Sequence, residues 1–223
     1  MSDSTFEFPG FHMPDTPVFN GALGTSMFSG PALDPKAVLD LGMVFGSRLW
    51  GHDIPTLDAT ELGAPGVGDL FTHDARERAT AALCEQGALE MGLAGGANAL
   101  RALVLHTGSE AVETALKTAL RATGRERIVA FEGGYHGTFG LALAVTSGVQ
   151  FRAPWAAQYS QSVAWAPWGE VPHLDEEVAC VIVEPWQGRA GVIAPPEGFL
   201  AGLRVECDRV GAVLIVDAVM CGA

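Results

Sequence analysis

From about residue 72 the apolar and polar positions of this 223-residue chain fall into a repeating rhythm. The stretch HDARERATAALCEQGALEMGL has helical spacing, with Ala75, Ala79, Ala82 and Leu83 on one side and charge on the other. ALRALVLHTG reads as a strand. SEAVETALKTALRATG reads as a helix whose apolar stripe is Ala111, Val112, Ala115, Leu116, Ala119 and Leu120, with Gly124 as its stop. RIVAFEGG and VACVIVEPWQG are strands, the second ended by Pro185. EGFLAGLRVECDRVG is a helix stopped by Gly211, and AVLIVD is a last strand. Uninterrupted apolar strands alternating with helices predict an α/β fold, a mostly parallel sheet flanked by helices on both faces. Residues 1–70 carry no such rhythm. They are rich in Gly and Pro around a short element at AVLDLGMVFG and read as an N-terminal arm or irregular segment, with residues 71–223 forming the sheet domain.

Composition narrows what the domain can do. Hydrophobic residues make up 48% of the chain, enough for a core. Acids outnumber bases 26 to 13, for a net charge of −13. That balance excludes a nucleic-acid binder, which needs Lys and Arg to meet phosphates, and an anionic membrane surface. No apolar stretch is long enough to span a bilayer, and MSDSTFEFPGF lacks the basic start of a secretion signal, so a cytoplasmic location is expected. Cys84, Cys180, Cys207 and Cys221 are scattered, which predicts free thiols and no metal site.

In such a sheet the chemistry sits where strands end and loops open. In LVLHTGSEAVETAL a strand runs through Gly108 into a helix that Ser109 is placed to cap. Amides at such a helix start can hold a phosphate, although on this stretch alone an ordinary capped helix is the better account. No Walker loop and no G-x-G-x-x-G follows any strand. In IVAFEGGYHGTFG, Tyr135 and His136 lie between glycines, where an aromatic can lie on a planar ligand or simply pack on its own domain. Glu184 and Asp217 each close an apolar strand. A carboxylate there needs a partner. For Glu184 an ion pair or a loop hydrogen bond suffices. For Asp217 the partner is an arginine or a protonated ring nitrogen, the latter making the ring an electron sink. A phosphate cup, an aromatic plate and an acid on successive strands together match the parts of pyridoxal phosphate.

These residues resemble the class-III pyridoxal-phosphate-dependent aminotransferases, which include the ω-amino-acid transaminases, acetylornithine transaminase and glutamate-1-semialdehyde aminomutase. The likeness is carried by HTGSEAVETALKTALRATGRERIVAFEGGYHGTFG and VACVIVEPWQGRAGVIAPPEGFLAGLRVECDRVGAVLIVDAVMCG, with weaker traces in VLDLGMVFGSRLWGHDIP. It implies the cofactor-binding large domain of fold-type-I enzymes, incomplete at its C-terminal side. It further implies transamination between a small amino acid or amine and a keto acid, and a homodimer in the complete protein. Gly108 and Ser109 would hold the phosphate, Tyr135 would stack on the ring with His136 beside it, and Val219 would press on the opposite face. Asp217 would bond the pyridine nitrogen, Glu184 would support it, and Trp50 would line the substrate pocket.

Three departures qualify the expectation. Ala218 stands where the family has Glu in its Asp-Glu-Val motif. Arg189 follows Gln187-Gly188, where relatives that use 2-oxoglutarate carry a Glu that switches partners. An arginine there argues for another acceptor, such as pyruvate, or for direct carboxylate binding. The Schiff-base lysine expected downstream of Asp217 is absent, since the lysines are Lys36, in a Pro-bounded loop, and Lys117, an i,i+4 partner of Glu113. The chain therefore reads as an N-terminal portion of such an enzyme, inactive alone. A non-catalytic half-fold that binds cofactor or a partner, and an α/β hydrolase using Ser109 and His136, are the alternatives.

Overall fold

A computed structural model describes residues 19–23, 26–29, 36–39, 74–158 and 162–221. The chain divides into two compact units, residues 1–77 and 78–223. The first contains three short strands, β1 (Phe19–Leu23), β2 (Ser26–Ser29) and β3 (Lys36–Leu39), in an antiparallel meander. This corrects the expectation of loops around one element, and Lys36 begins a strand where a loop was expected. Sheet pairing here is local, so short runs suffice where side-chain periodicity is too brief to read.

Helix α1 (Asp74–Glu90) forms as its spacing predicts. Its predicted apolar stripe is nevertheless exposed, and Ala88 is its buried residue. The second unit is built on a parallel sheet in the order β5 (Val163–Ala166), β4 (Arg127–Phe131), β6 (Val178–Val183), β7 (Val213–Val216). Helix α2 (Gly108–Thr123) contacts β6 and β7, and the short α3 (Gly140–Ala144) packs on α2. Helix α5 (Phe199–Val210) packs on β6 and β7 too, with its buried residues in the opposite layer. A single turn, α4 (Val149–Arg152), follows α3.

The two layers follow from strand alternation. On β4, Ile128 and Ala130 join Val112, Leu116 and Ala119 of α2, while Val129 and Phe131 join Phe199, Leu203 and Cys207 of α5. On β6, Cys180 and Ile182 face the first layer, and Val181 and Val183 the second. Both faces are covered, which is why β6 is buried at every position. Gly124 and Gly211 end their helices in the left-handed conformation, at φ 67° and 71°.

Residues 101–105, expected as a strand, form none. A strand exists only through a ladder to a neighbour, and this extended run makes none among the described residues. Leu103 and Val104 are consequently 63% and 46% exposed. The edge strand β7 is likewise open, with Val216 52% exposed. Strand β5 was not anticipated. Its four residues are too few for a periodicity and are recognised only by pairing to β4.

Helix α5 is pinned by charge as well as packing. The Glu206 carboxylate accepts the Leu174 backbone N–H at 2.8 Å and the Arg209 guanidinium at 2.6 Å, with His173 at 3.1 Å. Chiefly through Arg209, then Leu174, its pKa falls from 4.5 to about 2. A lowered acid stabilises the fold fully above its unfolded value and loses that contribution as pH falls through the folded one. Glu206→Gln is expected to lower the thermal midpoint at pH 7, with the gap to wild type closing between pH 4.5 and about 2. A pH-independent gap in a thermal-melt series would contradict this.

Candidate active site

In a parallel sheet every strand delivers its carboxyl end to the same side. Here the residues after β4, β6 and β7 meet there at the start of α2. Asp217 follows β7 directly, its N–H donating to the Val183 carbonyl of β6 at 2.8 Å, so it leaves the sheet with its side chain still buried, 8% exposed. One carboxylate oxygen meets His136 Nδ1 at 2.8 Å, and the other accepts the Val219 N–H at 3.1 Å. The partner is thus a histidine, where the sequence left an arginine open.

His136 is itself 3% exposed. Its N–H donates to Thr146 Oγ at 2.9 Å, and that hydroxyl donates back to the loop at Gly137 O, 2.8 Å away. The ring is therefore turned inward to Asp217, fixed from both its backbone and its side chain. Thr146, fully buried, was not singled out from the sequence, because its role is set by a contact ten residues back in the chain.

Glu184 follows β6 and is 3% exposed. Its two oxygens accept the N–H groups of Tyr135, at 3.0 Å, and of Gly188, at 3.3 Å. This is the loop hydrogen bond that the sequence allowed. One acid thus clamps the loop after β4 to the loop after β6. Burial pushes its pKa above the usual 4.5, against the pull of those N–H donors and of His136. Gln187, 1% exposed, completes the clamp by donating to the Glu132 carbonyl at 2.7 Å. Its signal was available in the sequence as an amide two residues past a strand-ending proline, and it was not used.

Tyr135 stands edge-on to Phe151, with ring centroids 5.5 Å apart at 69°. The Arg189 guanidinium carbon lies 4.4 Å from the Tyr135 centroid. At the start of α2 the cap is Thr107, not Ser109. Thr107 Oγ accepts the Glu110 N–H at 3.1 Å, and the Glu110 carboxylate returns to the Thr107 N–H at 3.2 Å. The Thr-x-x-Glu spacing of this capping box was present in the sequence and was read one position pair late. Gly108 and Ser109 become the first two helical residues, whose N–H groups have no acceptor within the helix. Ser109 Oγ abuts the His136 loop, where a Cβ added at Gly137 would clash with it. A Cβ added at Gly108 would lie 3.0 Å from the Val219 side chain, so a larger residue there requires that side chain to give by a few tenths of an ångström.

The structure thus brings together Gly108, Ser109, Tyr135, His136, Glu184, Asp217 and Val219, with Arg189 on the Tyr135 ring. Trp50 lies outside the described residues. Lys117 is on the exposed side of α2, paired with Glu113 at 3.0 Å. The other oxygen of Glu113 accepts the N–H groups of Leu141, at 2.6 Å, and Ala142, at 3.2 Å, and so caps α3, a role the sequence did not reveal. No hydrogen bond joins Ser109 to His136 among the described residues, which leaves the hydrolase alternative without its nucleophile–base contact.

The family model described as aminotransferase class-III matches residues 32–223. The chain belongs to this family. An acetylornithine aminotransferase of Corynebacterium efficiens is 34% identical over 200 residues, 85% of this chain and 49% of that protein. An acetylornithine aminotransferase of Methanopyrus kandleri is 45% identical over 121 residues, 52% of this chain and 31% of that protein. Among solved structures, an amine transaminase from an uncultivated Pseudomonas species superposes with a TM-score of 0.75 at 23% identity, over 99% of this chain and 57% of that one. A taurine:2-oxoglutarate aminotransferase from Bifidobacterium kashiwanohense gives 0.76 at 20% identity, over 96% and 53%. The fold of this class-III chain is therefore that of the aminotransferase α/β domain. The chain spans about half the length of these relatives or less.

The raised Glu184 pKa has a direct test. Carbon-13 NMR of the labelled carboxyl is expected to show a midpoint above 4.5, and a midpoint at or below it would refute the burial argument. Across that interval the folded chain keeps a proton that the unfolded chain has released, so this group's contribution to stability declines as pH rises.

Proposed function

We propose that this chain carries the coenzyme half of a class-III aminotransferase site and binds pyridoxal phosphate there. The observation that carries the reading is the buried His136–Asp217 pair at the strand ends, next to the helix start at Gly108 and Ser109. The residues fit that coenzyme. Two N–H groups without a helical acceptor at the start of a 16-residue helix offer an anion site, reinforced by the helix dipole. The Tyr135 ring offers a flat surface, and Val219 stands between the helix start and Asp217.

When bound, the pyridinium ring supplies an electron sink for a carbanion formed next to an amine nitrogen. The chain's own residues do the rest. Asp217 would hold the proton on the ring nitrogen of the bound coenzyme. His136 orients that carboxylate, and the Val219 N–H fixes its second oxygen. Glu184 sets the distance between the Tyr135 and Gly188 loops. The amides of Gly108 and Ser109 would hold the ester end.

The reaction assigned to the whole protein is transfer of an amino group from an amino acid or amine to a keto acid, in a homodimer. The base that moves the proton is not among these residues, and Lys117 is engaged with Glu113. A cytoplasmic location is proposed on the four free thiols, of which burial pushes Cys180 up to about 12 and Cys207 up to about 11. No helix among the described residues is long and apolar enough to cross a membrane.

Equilibrium dialysis followed by absorbance should show uptake of pyridoxal phosphate by the chain, weakened about tenfold or more by Asp217→Ala, which corresponds to about 1.4 kcal/mol. Equal uptake by the variant, or none by wild type, would defeat the reading. Binding is expected to be non-covalent. After borohydride treatment the intact mass should be unchanged, and a coenzyme adduct on Lys117 would contradict its engagement with Glu113.

A further inference from the structure

We propose that this chain carries a second ligand site apart from the coenzyme site. It is a cavity at the outer edge of the sheet that takes a small monocarboxylate with an apolar body, and Arg152 receives the carboxylate.

The cavity follows from where α3 stops. Val163 and Trp165 of the edge strand β5 turn toward the layer that holds α2 and rest, half-buried, against its core. Helix α3 lies in that layer for five residues and ends at Ala144, which leaves the two β5 side chains partly uncovered. The chain continues through α4 into a short 3₁₀ helix, Ala153–Gln158, and brings further small side chains to the place. Ala144, Ala153 and Ala156 stand around Val163 and Trp165, and the space left is about 340 Å³. That is the volume of a small-molecule pocket. None of its lining residues belongs to the coenzyme site.

Arg152 supplies the charge. Its guanidinium carbon lies 4.7 Å from the centroid of the Trp165 ring. Its Nη2 donates to the Ser147 carbonyl at 3.2 Å. Residue 151 points elsewhere, with the Phe151 ring edge-on to Tyr135, so the turn of α4 is held from both sides. These contacts orient the guanidinium without cancelling its charge. Its Nε is buried with no acceptor, and among the described residues no carboxylate pairs with Arg152. Arg127, Arg204 and Arg209 each hold an acid. In a chain with 26 acids and 13 bases, a half-buried arginine that meets none of them is placed to receive an acid from outside.

The lining selects the ligand. A guanidinium presents a planar fork of N–H donors that matches the two oxygens of a carboxylate. The indole face and the alanine walls accept an apolar body. Arg152 is the charged residue among those that line the cavity, so a monoanion is neutralised there. A phosphate ester or a dicarboxylate would keep uncompensated charge in apolar surroundings.

The test titrates the 223-residue chain with benzoate and with neutral benzamide by saturation-transfer NMR, alongside thermal melting. Wild type is expected to bind benzoate about tenfold or more tighter than benzamide. Arg152→Gln should bring that ratio close to one, and Arg152→Lys should restore part of it. Ala156→Leu, an exposed position whose larger side chain fills the cavity, should weaken both ligands while the thermal midpoint holds. Saturating pyridoxal phosphate should leave benzoate bound. The ratio within each protein separates loss of the cation from loss of the fold, which weakens both ligands. No benzoate binding by wild type, equal affinity for benzamide, an unchanged ratio in Arg152→Gln, or unchanged binding in Ala156→Leu would overturn the proposal. Displacement by pyridoxal phosphate would overturn it too, by placing the carboxylate in the coenzyme site.

Discussion

Taking the Asp217 carboxylate out of water costs several kcal/mol unless its oxygens find donors, and the folded chain meets that demand with His136 and the Val219 N–H. Much of the site's geometry is organised by this one requirement. His136 reaches Asp217 only if the loop after β4 turns inward, which Thr146 enforces from the end of α3. The loop can turn inward only if α2 begins close by, and the contact of Ser109 with Gly137 shows how little space is left. The Val219 N–H in turn brings the chain after β7 back over Gly108. A buried acid thus draws four separate stretches of sequence to one point.

The same device recurs at lower stakes. The chain is rich in acids, and several of them act as clamps on backbone N–H groups. Glu110 closes the cap of α2, Glu113 caps α3, Glu184 joins two strand-end loops, and Glu206 holds the Leu174 loop to α5. Each carboxylate offers two oxygens to donors that helix starts and loops leave unsatisfied. The excess of negative charge is, in these places, structural.

Legibility in the sequence followed element length and burial. Strands β4, β6 and β7 and helices α2 and α5 lie in continuous apolar or amphipathic runs, and each was read within a few residues of its place. Where an element depends on a neighbour the reading failed in both directions. The apolar run 101–105 is not a strand, and the short β5 is one. Among site residues, Asp217 and Glu184 were visible as acids closing apolar strands, and Tyr135 and His136 as residues of a glycine-bounded loop after one. Gln187, Thr146 and Glu113 were not, because nothing in their immediate context separates a clamp from an ordinary polar side chain.

What the sequence alone determined was the alternation of strand and helix, the two-faced burial of the sheet, and the placement of acids and glycines at the strand ends. These depend on hydrophobic period and on the backbone freedom of glycine, which are local properties. Tertiary structure decided the partners. It chose His136 for Asp217 across 81 residues, Glu184 for Tyr135 across 49, and the Tyr135 ring for Arg189. The reason is that a hydrogen bond or a cation–π contact is selected by distance and direction in space. Those are known only once the parallel sheet has carried its strand ends to a common side.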